Sequence, residues 1–203
     1  HKVLNNLQSV ISKIPLFVFY PGHYTKYDLN LFGKFKDANY YRAFRLIDYA
    51  VAAKCDAVKF QTINVSKLMI GNAPLANYQK KTKSKTMNDL INRYNLNHSD
   101  FVKIRDYCKK KKIIFLSTPF DVESAFFLNK LNFPAFKISS SDNDNIFLIE
   151  TIKKFKKPVI ISSGMTKIDE LKKILKFIRF PKNRLAILHC ISDYPTDIKN
   201  SQL

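Results

Sequence analysis

Apolar and polar positions along this chain follow two rhythms. Short apolar runs ending in polar residues recur at Asp56-Ala57-Val58-Lys59-Phe60-Gln61-Thr62, Ile113-Ile114-Phe115-Leu116-Ser117-Thr118-Pro119-Phe120, Ala135-Phe136-Lys137-Ile138-Ser139-Ser140-Ser141-Asp142, Pro158-Val159-Ile160-Ile161-Ser162-Ser163-Gly164 and Leu185-Ala186-Ile187-Leu188-His189-Cys190. Runs of this kind between helical patterns predict parallel strands buried on both faces, with their polar ends on one rim. The second rhythm is helical. Ala43, Leu46, Ile47, Ala50 and Val51 recur at helical spacing, as do Phe101, Ile104, Tyr107 and Cys108. Helices are predicted over 87–94, 99–111, 122–131, 146–155 and 167–178, and Thr166 with Asp169 three residues on reads as a capping box for the last.

From residue 113 onward each strand and helix together take roughly 20 to 30 residues, which suits consecutive right-handed βα units. The fold class is therefore α/β, a TIM (β/α)8 barrel that is here incomplete. A whole barrel takes about 250 residues, and this chain reaches Leu203 just after its sixth strand. The expectation is one partial barrel domain over 1–203, a fragment, with 1–32 as a divergent segment. Within the first 37 residues only a helix over 3–11 and a strand over 16–20 are readable. Residues 63–97 form the longest stretch without a strand, as a lid or binding loop at a barrel mouth would.

The rim carries the candidate chemistry. In the strand at 56–62, Ala57, Lys59 and Gln61 share one face while Val58, Phe60 and Thr62 share the other, which suits packing against helices. That directs Lys59 inward, where an ammonium is costly unless it meets an anion. Lys137, between Phe136 and Ile138, poses the same problem. A single strand lysine is ordinarily a snorkelling edge residue, but two in strands ending in hydroxyls or amides point to an anion cradle. Thr118, Ser140 and Ser162 are then candidate donors to phosphate or carboxylate oxygens, although each taken singly is a cap or turn residue. Asp142 is a candidate base or metal-directed carboxylate, and its Ser141-Asp142-Asn143 setting is equally that of a turn. His189, the one histidine on a predicted strand, reads as structural, with no second ligand at metal spacing.

Composition narrows the classes. The 203 residues are 46% hydrophobic, enough for a sizeable core, and 35 Lys+Arg against 16 Asp+Glu give a formal +19. The cations are mostly lysines without an aromatic-interleaved stripe, so nucleic acid is not the favoured partner. The run Lys109 to Lys112 closes a helix and complements its dipole. Cys55, Cys108 and Cys190 are odd in number and far apart, which fits a reduced, cytoplasmic protein without a disulfide framework or metal knuckle. No apolar run is long enough for a membrane span. Gly-x-Gly-x-x-Gly, Walker, nucleophile-elbow and His-Glu-x-x-His patterns do not occur.

Taken in order, Asp56-Ala57-Val58-Lys59-Phe60-Gln61-Thr62, Asn77-Tyr78-Gln79-Lys80-Lys81-Thr82, Phe115-Leu116-Ser117-Thr118-Pro119-Phe120-Asp121, Pro134-Ala135-Phe136-Lys137-Ile138, Ser163-Gly164-Met165 and Leu188-His189-Cys190 with Tyr194-Pro195 resemble the sialic acid synthase family over about 33–203. The resemblance implies condensation of phosphoenolpyruvate with an N-acylated aminosugar such as N-acetylmannosamine, giving a nonulosonic acid and phosphate. It implies that Lys59, Thr118, Lys137, Ser140, Ser162 and Ser192 bind phosphoenolpyruvate, Ser192 standing where many members have Asn. Tyr78, Gln79 and Tyr194 fall on the sugar side, and Lys59, Lys137 and Asp142 take the catalytic roles. A divalent metal, Mn2+ or Mg2+, and a homodimer are implied for full-length relatives, with no metal ligand inside this chain.

Two departures accompany the resemblance. The family's first-strand glutamate and loop histidine are missing from 16–33, which keeps little beyond Gly33, and the later metal-binding histidines and small antifreeze-like domain have no counterpart here. The alternatives are a catalytically inactive remnant or a module that binds anions or acidic polymers, and another phosphosugar or phosphoenolpyruvate barrel enzyme, ranked below the synthase reading.

Overall fold

A computed structural model describes residues 17–18, 39–64, 74–75, 84–192 and 197–200. The expected helix over 3–11, the Asn77-to-Thr82 segment and Tyr194 lie outside the described residues. The chain divides into two compact units, one of Ser12–Phe115 and one of Leu116–Leu203 with His1–Ile11.

In the first unit, β1 (Phe17–Val18) runs parallel to β2 (Ala57–Thr62), with Val18 in register with Lys59. The start of β3 (Ile114–Pro119) joins the other side, where the Ile114 N–H donates to the Asp56 carbonyl at 3.0 Å. The predicted alternation holds. Phe60 meets Phe115 edge-on at 5.4 Å, and Phe115 stacks on Phe101 of helix α3 (His98–Lys111) at 6.1 Å. The Val58 and Phe60 face therefore packs on a helix, and Lys59 points the other way.

Phe101, Ile104 and Cys108 of α3 are buried, and the helix begins with a true capping box. Asn97 Oδ1 accepts from the Asp100 N–H at 2.9 Å, and Asp100 accepts from the Asn97 N–H at 3.2 Å. At its other end Lys112 takes a left-handed φ of 58° as the cap. The lysines there are not merely solvated. Lys111 pairs with Asp48 of α1 (Asn39–Ala52) at 2.7 Å, and the Tyr107 hydroxyl bonds the same carboxylate. Phe44 stacks on Tyr107 at 4.1 Å, so aromatic packing and polar contacts together join α1 to α3. A short helix α2 (Met87–Tyr94), capped by Thr86, stands where the pattern predicts it.

The second unit carries the regular part of the chain. Helix α4 (Val122–Lys130), β4 (Phe136–Ile138), α5 (Ile146–Lys154), β5 (Val159–Ser162), α6 (Ile168–Ile178) and β6 (Leu185–Leu188) follow the end of β3. The three strands form a parallel sheet in the order β4-β5-β6, with Lys137 opposite Ile160 and Ser162 opposite Leu188. Phe136 packs against Phe155 at 5.4 Å, and Phe155 against Phe126 at 5.3 Å, so that face of the sheet meets the helices. Lys137, one residue on, faces the opposite side. Both sheets are open and their strands parallel, the arrangement expected of an incomplete barrel.

Two expectations need correction. The capping box at the start of α6 lies one residue later than predicted: the Glu170 carboxylate accepts from the Lys167 N–H at 2.8 Å, and only this half exists because lysine offers no acceptor. Thr166 is engaged elsewhere. His189 lies just beyond the end of β6 and is exposed, so it is not a strand histidine.

Candidate functional site

Strands β4 and β5 and the segments after β4, β5 and β6 hold five of the expected site residues, Lys137, Ser140, Asp142, Ser162 and Ser192. Lys137 has only 9% of its surface exposed, and its Nζ makes one long hydrogen bond of 3.4 Å to the Ile138 carbonyl. Burial pushes its pKa down to about 8, while Cys190 and Asp142 pull in the opposite direction. A cation held so poorly by its own fold is suited to receive an anion.

Directly after β4 the chain tightens into a 3-10 turn, Ser140–Asp142. Ser139 Oγ accepts from the Ser141 N–H at 3.2 Å, the local bond that lets serine start such a turn. Asp142 is buried and accepts from Ser141 Oγ at 3.1 Å and Asn145 Nδ2 at 3.4 Å. Burial raises its pKa, against the lowering effect of those hydrogen bonds. The two shifts run in opposite directions, the carboxyl holding its proton more readily and the amine releasing its own more readily.

The β5 exit is pinned to β6. The Ser163 N–H and hydroxyl both donate to the Leu188 carbonyl, at 3.0 and 2.8 Å. Gly164 follows, and a Cβ placed on it would lie 2.8 Å from Ser140 Oγ and 2.7 Å from Ser192 Oγ. The bare glycine backbone thus packs closely on two hydroxyls, a cradle of three residues drawn one each from the segments after β4, β5 and β6. Ser162 is buried at the end of β5, on the same face as Lys137 by the ladder register.

The structure brings Lys137, Asp142, Ser140 and Ser192 to neighbouring strand exits of one sheet. Thr118 is buried at the end of β3, within the β1-β2-β3 sheet, and Lys59 is buried on β2 of the other unit. Tyr78, Gln79 and Tyr194 lie outside the described residues. Sequence reading missed Asn143 and Thr166. Asn143 Nδ2 donates to Thr166 Oγ1 at 2.8 Å, and Thr166 Oγ1 donates to the Gly164 carbonyl at 3.2 Å. No local signal announces a bond spanning 23 residues.

Among the described residues no group of three His, Cys, Asp or Glu side chains could hold a metal ion. No described helix is long and apolar enough to cross a membrane.

Comparison with known proteins separates the chain into two stretches. Residues 1–46 match the family of BREX protein BrxB, and a Bacillus cereus member is 54% identical over 48 residues, 24% of this chain and 25% of that protein. This accounts for the poor fit of 16–33 to a synthase first strand. The two matched stretches meet inside α1, whose buried residues Ala43, Ile47 and Ala50 continue across the junction.

The remaining chain is similar to the N,N'-diacetyllegionaminic acid synthase of Campylobacter jejuni, 32% identical over 167 residues, covering 78% of this chain and 49% of that protein. Among solved structures, the N-acetylneuraminic acid synthetase of Leptospira borgpetersenii, crystallised in complex with citrate, superposes with a TM-score of 0.68 at 27% identity. It covers 81% of this chain and 53% of its own. The chain thus spans about half the length of these relatives. A parallel α/β architecture, a buried lysine facing a hydroxyl-lined strand rim, and a sequence match over residues 46–203 agree in one conclusion: the chain belongs to the NeuB family.

Proposed function

We propose that this chain carries the phosphoenolpyruvate-binding part of a nonulosonic acid synthase. The observation that carries the reading is Lys137, a buried amine with one weak protein hydrogen bond, facing the sheet side that ends at Ser140, Ser162 and Ser192. Citrate in the Leptospira relative supports it, since that protein crystallised with a small polyanion.

In the proposed reaction C3 of phosphoenolpyruvate bonds to the aldehyde carbon of an N-acylated aminosugar. Water adds at C2, and phosphate departs by C–O cleavage. Protonated Lys137 neutralises the anion, and the Ser140, Ser162 and Ser192 hydroxyls donate to its oxygens. Asp142 holds or releases a proton beside them. For Lys59, Thr118, Tyr78, Gln79 and Tyr194 the support is the family motif around each.

The test is calorimetric titration of phosphoenolpyruvate into the full chain at low and high salt. Binding should weaken with salt and fall at least about tenfold in Lys137→Ala, the loss of one buried charge-assisted contact. Unchanged affinity in that variant would sink the assignment. Salt-dependent retention on nucleic acid without any response to phosphoenolpyruvate would instead favour a general binder of acidic polymers.

A further inference from the structure

We propose that Asn143 and Thr166 form a latch that fixes the Gly164 peptide between Ser140 and Ser192, and thereby sets how tightly the cradle holds an oxyanion. The inference rests on the phosphoenolpyruvate reading for the identity of that anion, and on the geometry alone for the latch.

The proton order along the latch is determined. An amide Nδ2 only donates and a carbonyl only accepts, so the single Thr166 hydroxyl proton must go to the Gly164 carbonyl while its lone pair receives Asn143. Reversing the Asn143 amide would turn the Thr166 proton toward Asn143 and release Gly164. Asn143 itself cannot readily move. It is 4% exposed and directly follows the turn that carries Ser140. One link of the latch is thus tied to the Ser140 side of the cradle and the other to Gly164.

Two further features set the latch apart from ordinary loop bonding. Asn143 Oδ1 is buried without a hydrogen-bond partner among the described residues, so the amide's one described bond is the one it donates to Thr166. Met165, between the two latched residues, has a left-handed φ of 61° and an exposed side chain. A non-glycine residue is strained there, and its side chain is largely exposed. Such strain persists only where neighbouring contacts over-determine the backbone, and Thr166 supplies them. The latch acts on the position of Gly164, so Asn143 and Thr166 are positioning residues and need not touch the anion.

The deciding experiment compares Thr166→Val, which keeps the shape and removes both bonds, with Thr166→Ser, which keeps the hydroxyl. Inorganic phosphate and phosphoenolpyruvate are titrated into the full chain, and hydrogen exchange of the Gly164 and Met165 amides is followed without ligand. The latch predicts at least a tenfold loss of affinity and faster exchange in Thr166→Val, with both near the parent values in Thr166→Ser. Affinity unchanged in Thr166→Val, or lost equally in Thr166→Ser, overturns it. If the parent chain binds neither anion, the phosphoenolpyruvate reading fails. The amides then decide the latch alone: faster exchange in Thr166→Val upholds it, and unchanged exchange refutes it. Should Thr166→Val not fold, Thr166→Ala carries the same expectations.

Discussion

Lys137 stands opposite Ile160 in the parallel ladder between β4 and β5, a lysine at a position whose neighbour is a fully buried isoleucine. Burial lowers the amine pKa from 10.5 to about 8. Between these values the unfolded chain holds a proton that the folded chain has released. Stability is therefore depressed below about pH 8 and recovers as pH rises toward 10.5. The full penalty is on the order of 3 kcal/mol. Lys137→Met should be more stable than the parent at pH 7 and should lose this pH slope, as urea unfolding across the range would show. Anion affinity runs the other way, strongest below pH 8 and falling above it, because the protonated amine is the binding form. Equal pH slopes in the parent and Lys137→Met would refute the account.

Gly164→Ala separates stability from binding. The added Cβ meets two serine hydroxyls, which can rotate away, and Ser140 Cβ at 3.3 Å, which needs to give only slightly. The fold should lose no more than about 1 kcal/mol, at the mild end of overpacking. Anion affinity should drop at least tenfold, since the cradle is then filled and its hydroxyls are displaced. Thermal melts alongside calorimetric titration test both expectations, and tight binding in the alanine variant would show that the cradle is not the anion site.

The Asp48 carboxylate joins α1 to α3 through Tyr107 at 2.9 Å and Lys111 at 2.7 Å. Tyr107→Phe should cost about 1 kcal/mol in urea unfolding, the usual value of such a bond. Partial burial raises the Asp48 pKa, but the bonds from Lys111 and Tyr107 outweigh it and leave the group below its ordinary value. A depressed carboxylate stabilises the fold above its unfolded pKa and loses that contribution as pH falls through the folded one. The difference between the parent and Asp48→Asn should therefore hold at neutral pH and shrink below about pH 4. A difference that persists unchanged at low pH would mean that packing, not charge, joins these helices.

Asp121 lies in the Ser117-Thr118-Pro119-Phe120-Asp121 motif, yet its described role is structural. It caps α4, accepting from the Ser124 N–H at 2.8 Å and from the Ser124 hydroxyl at 2.6 Å. Asp121→Ala should cost about 1 kcal/mol of stability, and Asp121→Asn much less. Denaturant unfolding of the pair checks this, and equal losses would point to the charge and not the cap.

The regular half of the chain is legible from its apolar pattern alone. Strands at 136–138 and 159–162 and helices at 122–130 and 146–154 lie within one residue of the boundaries that pattern suggests, because burial on both faces leaves little choice of residue. The inward direction of Lys59 and Lys137 is equally readable, since strand side chains alternate by geometry. Residues 1–32 are not legible as a synthase segment, and the match of 1–46 to another family gives the reason and moves the boundary from about 33 to 46.

The amino-acid sequence by itself determined the α/β pattern, the family, and the identity of the lysines and hydroxyls at the strand ends. These follow from local periodicity and from motifs of a few adjacent residues. Only the tertiary structure decided that Gly164 lies between Ser140 and Ser192, that Thr166 serves Gly164 and Asn143 where a helix cap was expected, and that burial moves the Lys137 amine to about 8. Apart from the short bond from Thr166 to Gly164, these depend on residues about 20 or more positions apart meeting in space, and on the solvent excluded when they do. Neither quantity is written in a local pattern; both arise from the parallel register of β4, β5 and β6.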